Sequence, residues 1–207
     1  MGWQQPCKRT VLWGFSFMAL LLSVPVPTIA LPMDLSDPGA LTQDRTSRAA
    51  LIREGNDFYN QGKFSEAEAA FRKVVTSFPN DAVSHYKLGN ALLRQEKFEA
   101  AIGSYQEAVR LNPNYALAYN ALGVALEGQN QTSESIEHYR RALAINPNYA
   151  EALANLGQSL WNQGQRQEAI RSLQRARNIY KEQGRTLESQ RIDRFLQQIT
   201  TAEPTIS

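Results

Sequence analysis

Cysteine and histidine are scarce in this chain of 207 residues, which has one cysteine and two histidines. Cys7 precedes an apolar run near the N-terminus, so removal of that segment would leave no thiol for a disulfide or a metal site. His85 and His138 are 53 residues apart, and neither has a cysteine nearby, so the sequence does not predict a metal site at either histidine. A glycine-rich phosphate loop and a nucleophile-elbow motif are also missing. These absences predict a protein that is not an enzyme and has no cofactor, no metal site and no small-molecule substrate.

An excess of charge of either sign is missing as well. The chain has 22 basic and 20 acidic residues, and Lys8 and Arg9 are the only charged residues among the first 30. Without that segment the two signs balance at 20 each. Because nucleic-acid binding requires a basic stripe, the composition predicts no nucleic-acid partner. Hydrophobic residues make up 43 % of the chain, which is enough for a packed core.

The N-terminal apolar run is short for a membrane-spanning helix. Residues 11–24 are fourteen uncharged residues that follow a basic start, whereas a spanning helix needs roughly 20 apolar residues. Two prolines and then the small residue Ala30 come next. This order is typical of a secretory signal, so residues 1–30 are predicted to be a signal peptide that is cleaved after Ala30.

An uncleaved N-terminal membrane anchor is the alternative interpretation of the same segment, and both interpretations predict export. Residues 31–47 are rich in Pro, Asp, Ser and Thr and show no helical period. They are therefore predicted to be a flexible linker.

An internal repeat of constant length runs through the rest of the chain. Four columns of residues recur every 34 positions: a glycine, a small residue, a large residue and a proline. Their members are Gly55, Gly89, Gly123 and Gly157; Ala67, Ala101, Ser135 and Ala169; Phe71, Tyr105, Tyr139 and Leu173; and Pro79, Pro113 and Pro147. Four independent columns with one period indicate stacked copies of a single structural unit.

Each unit is predicted to contain two helices. Apolar residues three and four apart, such as Leu153 and Leu156, indicate the first helix. The glycine lies inside this helix, where close approach of the second helix and its large residue would explain it. Ser65 and Glu68 match a capping box at the start of a second helix, and paired acids such as Glu66 and Glu68 are interpreted as solvent-exposed. The proline column ends the second helix, because the residue before a proline disfavours the helical conformation.

On these columns the sequence resembles the tetratricopeptide repeat family over residues 48–183. The family's register gives four repeats, 48–81, 82–115, 116–149 and 150–183. The resemblance implies an all-α fold, a right-handed superhelical solenoid of helix-turn-helix units. In the last repeat Lys181 replaces the proline. Residues 184–200 are predicted to form a capping helix that closes the open end of the solenoid, and residues 201–207 a disordered tail.

The resemblance also implies a binding site, because the first helices of this family line a concave groove that holds a peptide or a helix. Carried over column by column, the predicted groove residues are Asn56, Tyr59, Tyr86, Asn90, Arg94, Asn120, Glu127, Gln158 and Trp161. Asparagine can donate to and accept from a peptide backbone, and tyrosine and tryptophan provide amphipathic contact area. The alternative is that the tyrosines pack between helices and the asparagines face water. One subgroup of the family clamps a C-terminal carboxylate with lysines, but Ile52 replaces the first of these, which argues against that function here.

Two functions remain open at this point. The first is an exported scaffold or adaptor that binds a protein or peptide partner in the groove, with assembly of a membrane-associated complex as its role. The second is a structural protein that self-associates into a homo-oligomer without a peptide ligand. For a bacterial source the expected compartment is the periplasm or the thylakoid lumen, or the membrane itself if the signal is not cleaved.

Overall fold

The computed structural model describes the backbone of residues 38–201 and the side chains of residues 47–200. Within this range the chain is all-α, as predicted, with no strand. Its nine helices are α1 (Pro38–Asn60), α2 (Phe64–Ser77), α3 (Ala82–Leu93), α4 (Phe98–Leu111), α5 (Ala116–Gly128), α6 (Thr132–Ile145), α7 (Ala150–Asn162), α8 (Arg166–Glu182) and α9 (Thr186–Thr201). The predicted signal peptide, residues 1–30, lies outside the described residues.

The helices stack in chain order as a solenoid. The pairs α1–α2, α3–α4, α5–α6 and α7–α8 are the four repeats, and each second helix also contacts the first helix of the next repeat. First helices of adjacent repeats approach each other as well, α3 with α5 and α5 with α7. The first helices therefore share one side of the stack, which is the side where a groove is expected.

The glycine column permits close contact between the two helices of a repeat, as the sequence predicts. A Cβ atom on Gly89 would lie 2.5 Å from the ring of Tyr105, and one on Gly123 would lie 2.5 Å from the ring of Tyr139. Both tyrosines are at most 2 % exposed. Because no side-chain atom fits in that space, only glycine allows the ring to lie against the backbone of the first helix.

The proline column marks the ends of the second helices. The helices α2, α4 and α6 each end two residues before the proline of their repeat. In the last repeat, where Lys181 replaces proline, α8 continues to Glu182. A left-handed residue, Gly184, follows the end of this helix with a φ of +70°, a conformation that glycine adopts without a steric penalty.

The predicted capping box at the start of α2 is wrong. The helix begins one residue before Ser65, no side chain caps its first turn, and the Ser65 hydroxyl donates to Gln95. The interpretation of Glu68 as solvent-exposed is also wrong, because its residue is 8 % exposed. Its carboxylate accepts hydrogen bonds from Lys97 and Gln95, both at 2.8 Å, and forms an ion pair with Arg72. Glu68 therefore joins the first repeat to the second.

The N-terminal helix differs from the sequence prediction. Residues 31–47 are predicted to be a flexible linker, but α1 begins at Pro38, so residues 38–47 are helical. Proline is compatible with the first turn of a helix, because the N–H group that it lacks has no partner there. The remaining part of the predicted linker, residues 31–37, lies outside the described range.

The C-terminal helix α9 packs against α8 at the end of the stack. It starts at Thr186, two residues after the predicted start, and buries Ile192, Leu196 and Ile199. Leu187, in contrast, is 70 % exposed. The helix extends to Thr201, and residues 202–207 of the predicted tail are not part of the described chain. No helix between residues 38 and 201 has the length and apolar character that a membrane span requires.

Candidate functional site

The predicted groove residues all lie on the first helices α1, α3, α5 and α7, except Arg94, which follows the last residue of α3. Two cavities open between first helices. They include five of the nine predicted residues, which are Asn56, Tyr59, Asn90, Glu127 and Gln158. The other four lie beside these cavities or turn toward neighbouring helices.

The first cavity lies between α1 and α3. Its volume is about 260 Å³, and its lining residues are Asn56, Tyr59, Asn60, Phe71, Lys87 and Asn90. The ammonium group of Lys87 donates to Asn56 Oδ1 at 2.9 Å. The side-chain oxygen of Asn90 accepts from the buried Tyr105 hydroxyl at 2.7 Å. Its amide nitrogen can therefore donate into the cavity, since Oδ1 faces the core.

An aromatic and a cationic side chain contact Tyr59, which lines this cavity. The Arg94 guanidinium lies 4.4 Å from the ring centre of Phe64 and 5.9 Å from that of Tyr59. The two rings meet edge to face. Such cation–π contacts hold the charged group over the rings while its edge stays in water. Arg94 thus adds positive charge near the first cavity.

Tyr86 takes part in an aromatic cluster. Its ring centre lies 5.9 Å from that of Tyr105 and 5.2 Å from that of Tyr115. Burial, followed by the proximity of Tyr86, raises the pKa of Tyr115 to about 12, and the same causes raise the pKa of Tyr105. The hydroxyls of Tyr105 and Tyr115 are therefore neutral at physiological pH. Tyr86 lines neither cavity.

The second cavity lies between α5 and α7. Its volume is about 190 Å³, and its lining residues are Val124, Glu127, Tyr139, Asn155, Gln158, Ser159 and Asn162. The carboxylate of Glu127 accepts hydrogen bonds from the hydroxyls of Ser135 and Ser159. Next to it, Asn155 Nδ2 donates to Asn120 Oδ1 at 3.0 Å. Hydrogen bonds thus fix the orientation of the polar groups at this end.

Trp161 contacts the C-terminal end of the solenoid. Its ring meets Phe195 of α9 edge to face at 6.5 Å, and the Arg166 guanidinium lies 5.6 Å from its ring centre. It is packed against the core and lines neither cavity.

Lys87 and Asn155 are among the lining residues that were not predicted from the sequence. They occupy the same repeat column, in the second and fourth repeats. This column lies three residues before the asparagine column that contains Asn90, so both face the same side of their helices. Their spacing of three residues from the predicted groove residues Asn90 and Gln158 is the signal that could have revealed them.

The two histidines are part of local packing. His85 Nε2 lies 2.8 Å from the carbonyl oxygen of Pro79, and the ring of His138 stacks on Tyr119. Burial lowers the pKa of His138, opposed by the nearby Glu137 and Glu134. Among residues whose side chains are described, no group of three or more His, Cys, Asp or Glu side chains is placed to hold a metal ion.

The stacked helix pairs and the cavities between their first helices define a helical-repeat protein of the kind that presents a groove. Sequence models of the tetratricopeptide repeat match residues 52–116, 86–150 and 126–190. The chain therefore belongs to the tetratricopeptide repeat family. The search of curated proteins gives no match.

Solved structures agree with this assignment. A crystal structure of MamA is 26 % identical in sequence and aligns with a TM-score of 0.63, covering 71 % of this chain and 86 % of that one. The first repeat domain of Spaghetti (RPAP3), bound to the HSP90 peptide SRMEEVD, is 29 % identical, with a TM-score of 0.56 and coverages of 56 % and 93 %. MamA from Desulfovibrio magneticus RS-1, from residue 41 onward, is 24 % identical, with a TM-score of 0.61 and coverages of 66 % and 77 %. This last likeness supports the fold alone.

Proposed function

We propose that this protein is an exported interaction scaffold and that an extended segment of a partner protein binds along α1, α3, α5 and α7. The observation that carries the proposal is the pair of cavities between first helices, two repeats apart. Spaced cavities of this kind accept successive side chains of one extended segment. The HSP90 peptide bound to the RPAP3 domain supports the proposal by similarity.

Exposed apolar side chains on the same helices add to this argument. Val83 on α3 is 41 % exposed and Leu117 on α5 is 44 % exposed, and the two occupy one repeat column. Apolar groups exposed beside cavities that contain polar hydrogen-bonding groups are typical of a peptide-binding surface.

The decisive experiment is affinity capture from source cells that produce the tagged full-length chain. The groove variant is Val83→Ser/Leu117→Ser, and the matched control is Leu187→Ser, which alters an exposed leucine on α9. We expect a partner that the wild type and the control retain and the groove variant loses. A partner retained by all three proteins would place binding elsewhere and would contradict the groove.

Export rests on the signal pattern of residues 1–30, and the proposed compartment is the periplasm or the thylakoid lumen of a bacterium. There the scaffold would hold together components of a membrane-associated complex. N-terminal sequencing of the protein from fractionated cells tests this step, with Leu31 as the expected first residue. An intact N-terminus in the membrane fraction would favour the uncleaved anchor instead.

Self-association is the second candidate function, favoured by the exposure of Leu187 on the terminal helix. Light scattering over a concentration series distinguishes it from a monomeric scaffold. A mass that rises with concentration in the wild type, and stays at one chain in Leu187→Ser, would assign α9 to a homo-oligomer contact.

A further inference from the structure

The two cavities of the groove are built from the same repeat columns. Positions 56, 59, 71, 87 and 90 line the first cavity, and positions 124, 127, 139, 155 and 158 line the second. Each member of the second set follows its counterpart by the length of two repeats. The repeat therefore provides one shape at two places along the groove, and the side chains decide what each place binds.

The two cavities contain charged groups of opposite sign. The first cavity contains the ammonium group of Lys87, and the corresponding residue of the second is the neutral Asn155. The second contains the carboxylate of Glu127, where the first has the neutral Tyr59. Arg94 increases the positive charge beside the first cavity through its position over Tyr59.

Both charged groups are half-buried and lack a counterion among the described side chains. Lys87 donates to the neutral amide of Asn56, and Glu127 accepts from two serine hydroxyls. Every other charged residue that is buried or half-buried in the part of the chain with described side chains forms an ion pair. These residues are Arg48, Glu68, Asp81, Glu107, Glu151, Arg177, Arg185, Glu188 and Asp193.

A partly desolvated charge without a counterion is unfavourable, and a ligand of opposite charge relieves that cost. The rest of the described chain avoids such charges, so their presence in the two cavities indicates a role in binding. Two opposite charges at separate places also make the groove directional, because a reversed ligand would bring like charges together.

We infer that the partner segment is bipolar: an acidic side chain occupies the cavity of Lys87, and a basic side chain occupies the cavity of Glu127. The charges thereby fix the direction in which the segment lies along the groove. The inference rests on the proposed function and adds the charge pattern and orientation of the ligand.

Synthetic peptides with a fluorescent label provide the test. Each contains alanine, serine and leucine with one glutamate and one lysine, in both orders and at several separations, and a neutral set has glutamine at both positions. Binding to the full-length chain is measured by fluorescence anisotropy. We expect one order to bind about tenfold more tightly than its reverse, since two half-buried charge pairs distinguish them, and this preference to weaken in high salt.

Charge exchange in the protein is the decisive variant. Lys87→Glu/Glu127→Lys should invert the preferred order of the peptide charges. Lys87→Gln and Glu127→Gln are milder variants that retain hydrogen bonding, and each should abolish most of the preference between the two orders of the peptide charges. Lys73→Glu/Glu137→Lys, which exchanges exposed charges on the second helices α2 and α6, is the matched control and should behave like the wild type.

Equal binding of both orders, or a preference that the Lys87 and Glu127 variants leave unchanged, would overturn the inference. If neutral peptides then still bind, and Val83→Ser/Leu117→Ser loses them, the groove function stands without the charge pattern. Binding of none of the peptides also overturns the inference, whereas the scaffold function is decided separately by the capture experiment. If Lys87→Glu/Glu127→Lys, and not the matched control, changes the mass measured by light scattering, a second copy of the chain occupies the groove. That result would also overturn the inference.

Discussion

A glycine on the first helix of each repeat lies against a large side chain of the second helix. At Gly123 an added Cβ atom would be 2.5 Å from the Tyr139 ring, whereas at the exposed Gly103 of α4 it would contact nothing within 4 Å. The same residue type thus has opposite consequences at these two places. In the first it is required by packing, and in the second it only weakens the helix.

Gly123→Ala should destabilise the protein by about 1–3 kcal/mol, because the Tyr139 ring or the α5–α6 packing must shift. Gly103→Ala should stabilise it by about 0.5–1 kcal/mol through higher helix propensity. Urea unfolding of both variants beside the wild type measures the two effects. Changes of the same sign would contradict this account of the glycine column.

Glu68 is a residue whose charge state should affect stability. Burial alone would raise the pKa of its carboxyl, but the hydrogen bonds from Lys97 and Gln95 and the charge of Arg72 outweigh burial, so the pKa lies below its ordinary value of 4.5. A lowered pKa in the folded state means that the stabilisation is complete above the ordinary value. It is lost as the pH falls through the folded-state pKa.

Glu68→Gln should reduce the free energy of unfolding by about 1–3 kcal/mol at neutral pH, because it removes hydrogen bonds between charged groups. The difference from the wild type should shrink when unfolding is repeated in acid, below about pH 4. Glu66→Gln, two residues away and exposed, is the control and should change stability by well under about 1 kcal/mol. A pH-independent difference for Glu68→Gln would contradict the assigned ion-pair network.

At the scale of elements, the turns inside the repeats share one backbone conformation. Gly62, Glu96, Asn130 and Gly164 occupy one repeat column and all have positive φ, between 57° and 78°. The residue after each donates its N–H to the carbonyl five residues earlier, for example Lys97 to Leu92 at 3.1 Å. This is the hydrogen bond of a Schellman motif, which ends the first helix.

Glu96→Gly should stabilise the protein by about 0.5–1 kcal/mol, since a residue with a Cβ atom is strained at positive φ. Asn130→Gly should have a smaller effect, because asparagine tolerates this conformation better. Gly62→Ala should destabilise by about 1 kcal/mol for the same reason. Thermal unfolding of the three variants should give the order of effects, and a destabilised Glu96→Gly would show that its side chain outweighs the strain.

At the scale of the whole described unit, each helix contacts its neighbours along the chain. In addition, the first helix α5 contacts the first helices α3 and α7. Stability in such a stack is the sum of repeat and interface terms, so the effect of a local change falls off with distance along the stack. The helix α9 illustrates this, because its buried residues Ile192, Leu196 and Ile199 belong to a core cluster with residues of α7 and α8.

Leu196→Ala should remove about 2 kcal/mol of packing at this terminal interface. In hydrogen exchange it should accelerate exchange in α8 and α9 and leave α1 to α4 close to the wild type. Leu187→Ala, on the exposed face of the same helix, should change neither region. An equal acceleration in all repeats would indicate that the solenoid unfolds as a single cooperative unit.

The pattern of the sequence was sufficient for the repeat architecture. The glycine, small-residue, large-residue and proline columns recur with one period, so the register of the helices followed from local propensities and spacing. The same columns placed Asn56, Asn90 and Glu127 on the first helices, where two cavities include them. The sequence also shows that Lys181 replaces, in the fourth repeat, the proline that follows α2, α4 and α6.

Only the tertiary structure decided how side chains from different repeats combine. Lys87 lies 31 residues from Asn56, and Glu127 lies 32 from Ser159, so neither contact is visible in the spacing within a helix. The sequence pattern predicts that Glu68 is one of two exposed acids. In the structure its carboxylate accepts hydrogen bonds from Gln95 and Lys97 of the second repeat. Spacing determines which face of a helix a residue occupies. Burial and charge pairing, in contrast, depend on the neighbour that stacking brings to that face.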